Sequence, residues 1–321
     1  MTTRLLSLLA VLSLAAAPLG AQAPASGAHA PADAGAACPA HDAADFITPH
    51  ITDSHCIGVP GFPKFWEVHE VPLPRWSPIH VGGVEIDLSP TKHVVMLLLA
   101  AAICCVVLIG AARAHERHTH AVGRPKGFAA GIEAMVLYIR QEVAIPNLGP
   151  HGERYAPFIL GLFFFILVAN LLGLIPFGST ATGNISVTAT LAFITFLVVE
   201  VAGMRAQGVG YLSTIFYWNK DLPLVMRVPM FVLMTPIEIV GKFTKPFALA
   251  IRLFANMTAG HIVVLALIGL IFTFRSYVIG TAPLLMALAI MMLELFVSFL
   301  QAFIFSLLAS VFIGQIREAH H

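Results

Sequence analysis

Residues 156–199 read APFILGLFFFILVANLLGLIPFGSTATGNISVTATLAFITFLVV and contain no charged side chain. A membrane-spanning helix needs about 20 mostly apolar residues, so this stretch is too long for a single span. A cluster of Pro, Gly and Asn residues between Pro176 and Asn184 interrupts the stretch near its middle, and these residue types favour a turn. The stretch therefore predicts a helical hairpin whose arms cover about 157–175 and 186–204.

The rest of the chain shares this apolar character. Of its 321 residues, 58% are hydrophobic and 11% are charged, with 18 Lys and Arg against 17 Asp and Glu. An ordinary soluble domain has about 25% charged residues, so the composition excludes a disordered chain and argues strongly against a soluble enzyme. The net charge of +1 gives no electric field that would gather nucleic acid or acidic substrates. We therefore expect an integral membrane protein that does not bind nucleic acid.

Three further apolar stretches are long enough to cross a membrane. They cover 93–112, 229–274 and 276–316, and a break at Gly280–Pro283 predicts that the final helix begins there. Residues 128–145 predict an amphipathic helix on the inner membrane surface, with a loop helix packed on the bundle as the alternative. The predicted fold class is all-α, a polytopic membrane protein with about five transmembrane helices, the last two long and tilted.

The N-terminal part predicts export. Residues 1–23 have the pattern of a signal peptide, possibly cleaved, with an uncleaved helical anchor as the alternative. Residues 24–91 then form an exported, partly disordered N-terminal extension, and residues 92–321 form the membrane domain. A disulfide between the two cysteines of the extension, Cys38 and Cys56, is left open by the sequence.

Positive charges predict the orientation of the spans. Arg and Lys residues are concentrated in the loop between the first two spans and in the loop after the hairpin, whereas the hairpin turn carries no charge. Because cytoplasmic loops are enriched in Lys and Arg, we expect both loops to lie inside. The mature N-terminus then lies outside, and the chain ends in the cytoplasm after Arg317.

Polar side chains inside the last two apolar stretches form narrow stripes. An Arg, Lys or Asp at the centre of a bilayer costs about 2.5–3.5 kcal/mol, so such residues usually face a partner or a water-filled path. At about 100° per residue, each of the two helices collects polar side chains on one face, while His261 lies roughly 180° away from Arg252. The stripes contain Glu238, Lys242, Lys245, Arg252 and Asn256 on one helix, and Glu294, Ser298 and Gln301 on the other. They predict a proton or ion route, and buried salt bridges between helices are the alternative.

The residues around the arginine resemble those of a known family. The segment PFALAIRLFANMTAG at 246–260 is similar to the signature of subunit a of the F-type ATP synthase membrane sector. In that signature an arginine is followed by Leu, an aromatic or aliphatic residue, a small residue and Asn. The resemblance covers about 156–317 and extends to Glu200 and to three further motifs in the family's order. These motifs are NLLGLIP at 170–176, TPIEIVGKFTKP at 235–246 and LQAFIF at 300–305.

The resemblance implies a stationary subunit beside a rotating ring of hairpin proteolipid subunits, subunit c, each with one membrane-buried carboxylate. It implies that Arg252 is the essential arginine facing these carboxylates and that two aqueous half-channels carry protons to and from the ring. The residues implied to line the half-channels are Glu238, Asn256, His261, Glu294 and Gln301. Many bacterial members carry the acid and the histidine at exchanged positions, which retains a His–carboxylate couple if His261 and Glu294 face each other.

On this resemblance, proton flow in the bacterial plasma membrane drives rotation and ATP synthesis. The chain has no G-x-x-x-x-G-K-[ST] phosphate loop, so we expect no nucleotide site, and we expect no cofactor and no metal. The expected partners are the proteolipid ring, the peripheral-stalk subunit b and membrane lipid.

Two other functions compete with this one. A self-contained ion transporter would commonly contain inverted repeats, and none is visible in the sequence. A membrane metalloenzyme finds its best support in the cluster HERHTH at 115–120, which is too small by itself for a di-metal site.

Overall fold

The chain folds as an all-α polytopic membrane protein, which confirms the predicted fold class. Five helices among the described residues are long and apolar enough to cross a membrane. The predicted signal peptide at 1–23 lies outside the described residues. The computed structural model describes residues 52–60, 68–76, 79–81, 84–86, 89–119, 127–149, 152–175, 180–211, 223–274 and 277–318.

Helices account for nearly all of the described chain after residue 91. The α-helices are α1 (Lys92–Thr119), α2 (Phe128–Tyr138), α3 (Ile145–Leu148), α4 (Ala156–Gly173), α5 (Ile185–Gln207), α6 (Leu224–Phe274) and α7 (Tyr277–Glu318). Short 3-10 segments lie at Glu153–Tyr155, Ala181–Gly183 and Gly208–Tyr211. The predicted hairpin corresponds to α4 and α5, because polar and Gly residues end one arm and Asn184 caps the next by accepting from the backbone N–H of Ser186.

The two C-terminal helices are longer than the sequence predicted. The predicted helix start at Gly280–Pro283 is wrong, because α7 begins at Tyr277 and continues through Pro283. α6 likewise runs for 51 residues through Pro229, Pro236 and Pro246. A proline removes one helical hydrogen bond, which a membrane helix tolerates where its surroundings satisfy the freed group. At 1.5 Å per residue α6 is about 75 Å long, so it cannot lie along the normal of a hydrocarbon layer about 30 Å thick.

α4 forms the centre of the bundle. Fifteen of its 18 residues are buried, and it contacts α1 on one side and α7 on the other. The ring of Phe163 meets the ring of Phe299 on α7 edge to face, with 5.7 Å between centroids. Fully buried small residues of α7, Ala302 and Ala309, let the helices approach closely, which is how membrane helices gain van der Waals contact.

Contacts between helix termini define two ends of the bundle. At the end that we call the Arg317 end, the guanidinium of Arg317 donates to the carbonyl of Leu148 at 2.7 Å. At the same end, the side-chain amide of Gln207 donates to the carbonyl of Ile316. The opposite end, where α1 begins and the 181–183 turn lies, is called the His93 end.

A helical segment packs on the bundle at the Arg317 end, where the sequence predicted an amphipathic helix. α2 and α3 are joined by a π-helical turn at Ile139–Ala144, so the helix continues from 128 to 148. One face contacts α4 and α7, and the other exposes Phe128 and Tyr138. The buried residues of this segment are Ile132, Ile139, Val143, Ala144 and Leu148.

The extension before α1 contains two short β-hairpins that the sequence analysis did not predict. β1 (Cys56–Pro60) pairs antiparallel with β2 (Val68–Pro72), and β3 (Ile79–Val81) pairs antiparallel with β4 (Val84–Ile86). Strands of three to five residues, two of them ending in proline, are too short to show an alternating pattern. Cys56 is disulfide-bonded, whereas Cys38 lies outside the described residues.

An ion pair anchors the extension to the His93 end. Asp53 Oδ1 lies 2.7 Å from Nδ1 of His93, whose side chain is 2% exposed, and Asp53 Oδ2 accepts from the side chain of Asn184 at 3.4 Å. The backbone N–H of Lys92 also donates to the carbonyl of Ser54. Burial alone would raise the pKa of Asp53, but hydrogen bonding to His93, with the charge of that residue, holds it below the ordinary value of 3.8.

Acid should release this anchor. A carboxyl whose pKa is lowered by folding stabilises the folded form above its unfolded pKa, and this stabilisation is lost as the pH falls through the lower, folded pKa. We expect the contact at Asp53 to persist at neutral pH and to weaken below pH 3.8. In Asp53→Asn the extension should be cleaved faster already at neutral pH, as measured by limited proteolysis of the detergent-solubilised protein.

The matched control is Glu153→Gln, which changes an exposed carboxylate at the Arg317 end and should be cleaved like the wild type. Equal protease resistance of Asp53→Asn and the wild type at neutral pH would contradict the anchoring role.

Candidate functional site

Arg252 lies near the middle of α6 on an exposed face. It borders an open groove of about 690 Å³ together with Lys245, Leu308 and Phe312. Its guanidinium has no ion-pair or hydrogen-bond partner among the described residues. A charged side chain within a membrane helix usually faces a partner or a water-filled path, and Arg252 faces the open groove.

Asn256 lies one turn beyond Arg252 and is also exposed. The two side chains share the stripe that the helical spacing predicted. Glu238 and Lys245, at the start of that stripe, are exposed as well, while Lys242 is half-buried. The continuous helix explains why the stripe holds together, because Pro246 does not break the register between its two halves.

A cavity of about 250 Å³ opens between α5, α6 and α7 towards the Arg317 end. Its polar lining comes from all three helices: Thr195 and Glu200 on α5, Glu238, Lys242 and Lys245 on α6, and Gln315 on α7. Because Lys245 borders both this cavity and the groove at Arg252, the two spaces are adjacent. The cavity therefore extends polar surface from one end of the bundle to the level of the arginine.

The predicted stripe on α7 is a buried face. Glu294, Ser298 and Gln301 are all buried, and the hydroxyl of Ser298 lies 3.9 Å from the sulfur of Met257 on α6. The carboxylate of Glu294 packs directly on Gly260, where a Cβ atom would lie 2.7 Å from both Cγ and Cδ of Glu294. A glycine is thus required for this approach of the two helices.

His261 follows Gly260 immediately in the chain, and its side chain is half-buried. The structure therefore places the Glu294 carboxylate beside the residue that precedes the histidine. A histidine near a carboxylate can accept and pass on a proton at neutral pH, because its ordinary pKa is close to neutrality.

A row of buried polar side chains at the His93 end was not identified from the sequence as part of the site. The hydroxyl of Thr182 donates to the side-chain carbonyl of Asn170 at 2.8 Å, and the amide of Asn170 donates to the backbone carbonyl of Ser298 at 3.3 Å. All three side chains have no solvent exposure. An asparagine in an otherwise apolar helix is the one sequence signal that pointed here.

Glu200 belongs to the resemblance without a role of its own, and Tyr211 has no role in the sequence-based prediction. The structure brings both to Lys242, whose Nζ lies 3.7 Å from the carboxylate of Glu200 and donates to the hydroxyl of Tyr211 at 2.7 Å. Each of these partners lies on a different element, so helical spacing within α6 could not reveal them.

A metal site finds no support in the part of the chain that the structure describes. No group of three or more His, Cys, Asp and Glu side chains able to hold a metal ion occurs among those residues. The side chains of the 115–120 cluster lie outside them.

The site thus has two polar regions on either side of an arginine. The region around Glu294 and Asn170 lies towards the His93 end, and the cavity around Glu238 and Lys242 lies towards the Arg317 end. Titratable groups occur in both regions, and Arg252 lies between them along α6. Carboxylate and imidazole groups of this kind can accept and release protons.

Comparison with known proteins identifies the family of the chain. The family described as ATP synthase A chain matches residues 94–314. ATP synthase subunit a of Chloroherpeton thalassium is 45% identical over 267 residues, which cover 83% of this chain and 74% of that protein. ATP synthase subunit a 2 of Chlorobaculum tepidum is 46% identical over 314 residues, covering 97% of this chain and 83% of the relative. The corresponding protein of Prosthecochloris aestuarii is 44% identical and covers 94% of this chain and 87% of its own length.

These matches confirm the family that the motifs resembled and support a role in proton transport for ATP synthesis. The chain belongs to the bacterial F-type ATP synthase subunit a family, and it is a multi-pass membrane subunit of the synthase's membrane sector.

Proposed function

We propose that this chain is the stationary proton-channel subunit, which passes protons through two half-channels to and from the carboxylates of a rotating ring. The observation that carries the proposal is Arg252, a cation midway along a membrane helix with no partner among the described residues. An unpaired charge in hydrocarbon is costly, so a carboxylate supplied by another subunit is the natural partner.

Arginine suits this position because its guanidinium stays protonated in every environment that the membrane offers. A fixed cation favours the ionised form of an approaching carboxyl group and so favours release of its proton. It also repels a proton that would cross directly between the two half-channels. Protons must then travel around with the ring, and their flow drives rotation.

The half-channel at the His93 end is formed by the buried polar row and the α6–α7 contact. Asn170 and Thr182 belong to its buried polar row, while His261, Glu294 and Gln301 carry protons towards the level of the arginine. The half-channel at the Arg317 end follows the 250 Å³ cavity with Glu238 in its wall. Asn256 borders the ring beside Arg252. These roles rest on the burial, contacts and cavity described above and on the family of the chain.

Orientation and partners complete the proposal. The concentration of Arg and Lys in the loops at the Arg317 end assigns that end to the cytoplasm and the mature N-terminus to the outside. The exposed apolar faces of α6 and α7 are available to ring subunits and lipid, and many large side chains such as Val240, Phe247 and Phe296 lie on them. The peripheral-stalk subunit b is the third expected partner.

Replacing the arginine should uncouple the synthase. In Arg252→Ala we expect ATP-driven proton pumping to fall to background while the complex stays assembled, because the contact is made with the ring and supports no packing within this chain. The loss should exceed about tenfold, as for a contact to a charged group. Fluorescence quenching of a pH-sensitive dye in inverted membrane vesicles measures pumping, and immunoblotting of the purified complex measures assembly.

Arg113→Ala is the matched control, since Arg113 is an exposed arginine at the end of the first span and should be dispensable. Normal coupled pumping by Arg252→Ala would overturn the proposed function.

Exchanging His261 and Glu294 should preserve more activity than changing either residue alone. Each single change, His261→Glu or Glu294→His, places two like groups together, whereas the double exchange restores one acid and one histidine. Pumping by the three variants in the same vesicles measures the difference. A double variant no more active than the single ones would show that the two residues are not coupled.

Gly260, against which the carboxylate of Glu294 packs, should be required for rapid proton transfer. In Gly260→Ala the added methyl group would displace the carboxylate, whose flexible side chain can move without unfolding the helices. We expect an assembled complex that pumps about a hundredfold more slowly, because a shift near 1 Å at a reacting group can have an effect of this size. Gly269→Ala, at a glycine of the same helix with open space around it, should leave pumping unchanged. Equal rates in both variants would contradict the proposed position of Glu294.

A further inference from the structure

Glu200 and Lys242 form an ion pair in the wall of the cavity at the Arg317 end. Their charged atoms are 3.7 Å apart, and the side chains are 17% and 13% exposed, respectively. Both residues lie within spans long enough to cross the membrane. Charged residues within a span usually face a partner or a water-filled path. Glu200 and Lys242 have each other as partners and also line a cavity.

The geometry of the pair leaves the carboxylate only loosely held. Lys242 makes its short contact to Tyr211, whose hydroxyl accepts from Nζ at 2.7 Å, and Nζ also lies 4.4 Å from the centre of the tyrosine ring. Tyr211 is itself buried, and its ring packs on Gly203 of α5. The lysine is therefore fixed by the tyrosine, while the carboxylate of Glu200 lies beyond hydrogen-bond distance of Nζ and Glu200 lines the cavity.

The cavity connects Glu200 with both water and the arginine. A volume of about 250 Å³ has room for several water molecules, since one takes about 30 Å³ in the liquid. Its charged lining consists of Glu200 from α5 and Glu238, Lys242 and Lys245 from α6. The lining from α7 is uncharged. One end of the cavity reaches Gln315 in the last turns of α7, and the other meets the groove of Arg252 at Lys245.

We propose that Glu200 is a proton-relay residue of the half-channel at the Arg317 end and that Lys242 is its positioning residue. This inference rests on the proposed function and adds to it a relay carboxylate on α5, across the cavity from α6.

The relay moves a proton between oxygen atoms only. When a ring carboxyl near Arg252 ionises, its O–H bond breaks and the proton passes through water in the cavity to Glu200, where a new O–H bond forms. Glu200 then gives the proton to water beside Gln315 and pairs again with Lys242. No electron is transferred, and water is the only other participant.

A purely structural ion pair would behave differently when both charges are removed. Removing one partner of a buried pair leaves an uncompensated charge, whereas replacing both by neutral side chains is often tolerated. If the ion pair only holds α5 and α6 together, the double variant Glu200→Gln with Lys242→Gln should thus regain normal rates of proton pumping. A relay should not recover, because neither glutamine can take up and release a proton.

The experiment uses vesicles that carry the complete synthase, with two readouts: ATP-driven pumping, and passive proton conduction after removal of the soluble sector. We expect Glu200→Gln to lower both rates by about a hundredfold, as for loss of a group that transfers protons, with normal assembly. The double variant should remain equally slow, and Glu200→Asp, which keeps a titratable group, should recover most of the rate. Glu153→Gln, at an exposed carboxylate outside the cavity, should match the wild type.

Wild-type rates in the double variant would overturn the relay while leaving the proposed function intact, provided that Arg252→Ala is inactive in the same vesicles. Failure of Glu200→Asp to exceed Glu200→Gln would overturn it as well. If the vesicles show no pumping that depends on Arg252, the proposed function itself fails.

Discussion

Hydrocarbon offers no hydrogen-bonding partner, and most of this structure follows from that constraint. Backbone groups are satisfied within helices, so the described spans are helical throughout, while the two short sheets lie in the extension before α1. Charged side chains obey the same constraint. Away from the ends of the spans, the remaining charged side chains lie in the cavity between α5, α6 and α7, against a neighbouring helix, or on the exposed face of α6. The few charges deep in the spans are thereby concentrated in one part of the bundle.

Length and hydropathy predicted the spans because a run of about 20 apolar residues has few alternatives to a membrane helix. Length and hydropathy predicted the positions of the helix ends less accurately. Pro283 predicted the start of the last helix because proline usually interrupts a helix in water, where other backbone conformations are equally well hydrogen-bonded. In the membrane, breaking the helix would cost more than losing one hydrogen bond, so α7 begins earlier, at Tyr277. The β-hairpins were missed for the opposite reason, since their short strands carry no periodic signal.

For the site, the sequence predicted what lies along one helix and missed what lies across helices. Regular spacing on α6 brought Glu238, Arg252 and Asn256 to one stripe, which the continuous helix preserves. Spacing cannot say which side chain of another helix faces that stripe, so the contact of Lys242 with Glu200 and Tyr211 emerged only from the fold. The same holds for the approach of Glu294 to Gly260, because a glycine is informative only once the atom beside it is known.

The prolines of α6 have a mechanical consequence. Pro236 and Pro246 leave the carbonyl groups of Val232 and Lys242 without their helical N–H donors, so the rod is softer at these points than elsewhere. A sideways load on the exposed face of α6 would be absorbed as slight bending at these prolines, about two and more than four turns from Arg252. The deformation would be small at the tightly packed contact near Gly260. One helix thus has softer and stiffer parts at different heights, so it could bend on its exposed face while the buried carboxylate of Glu294 keeps its place.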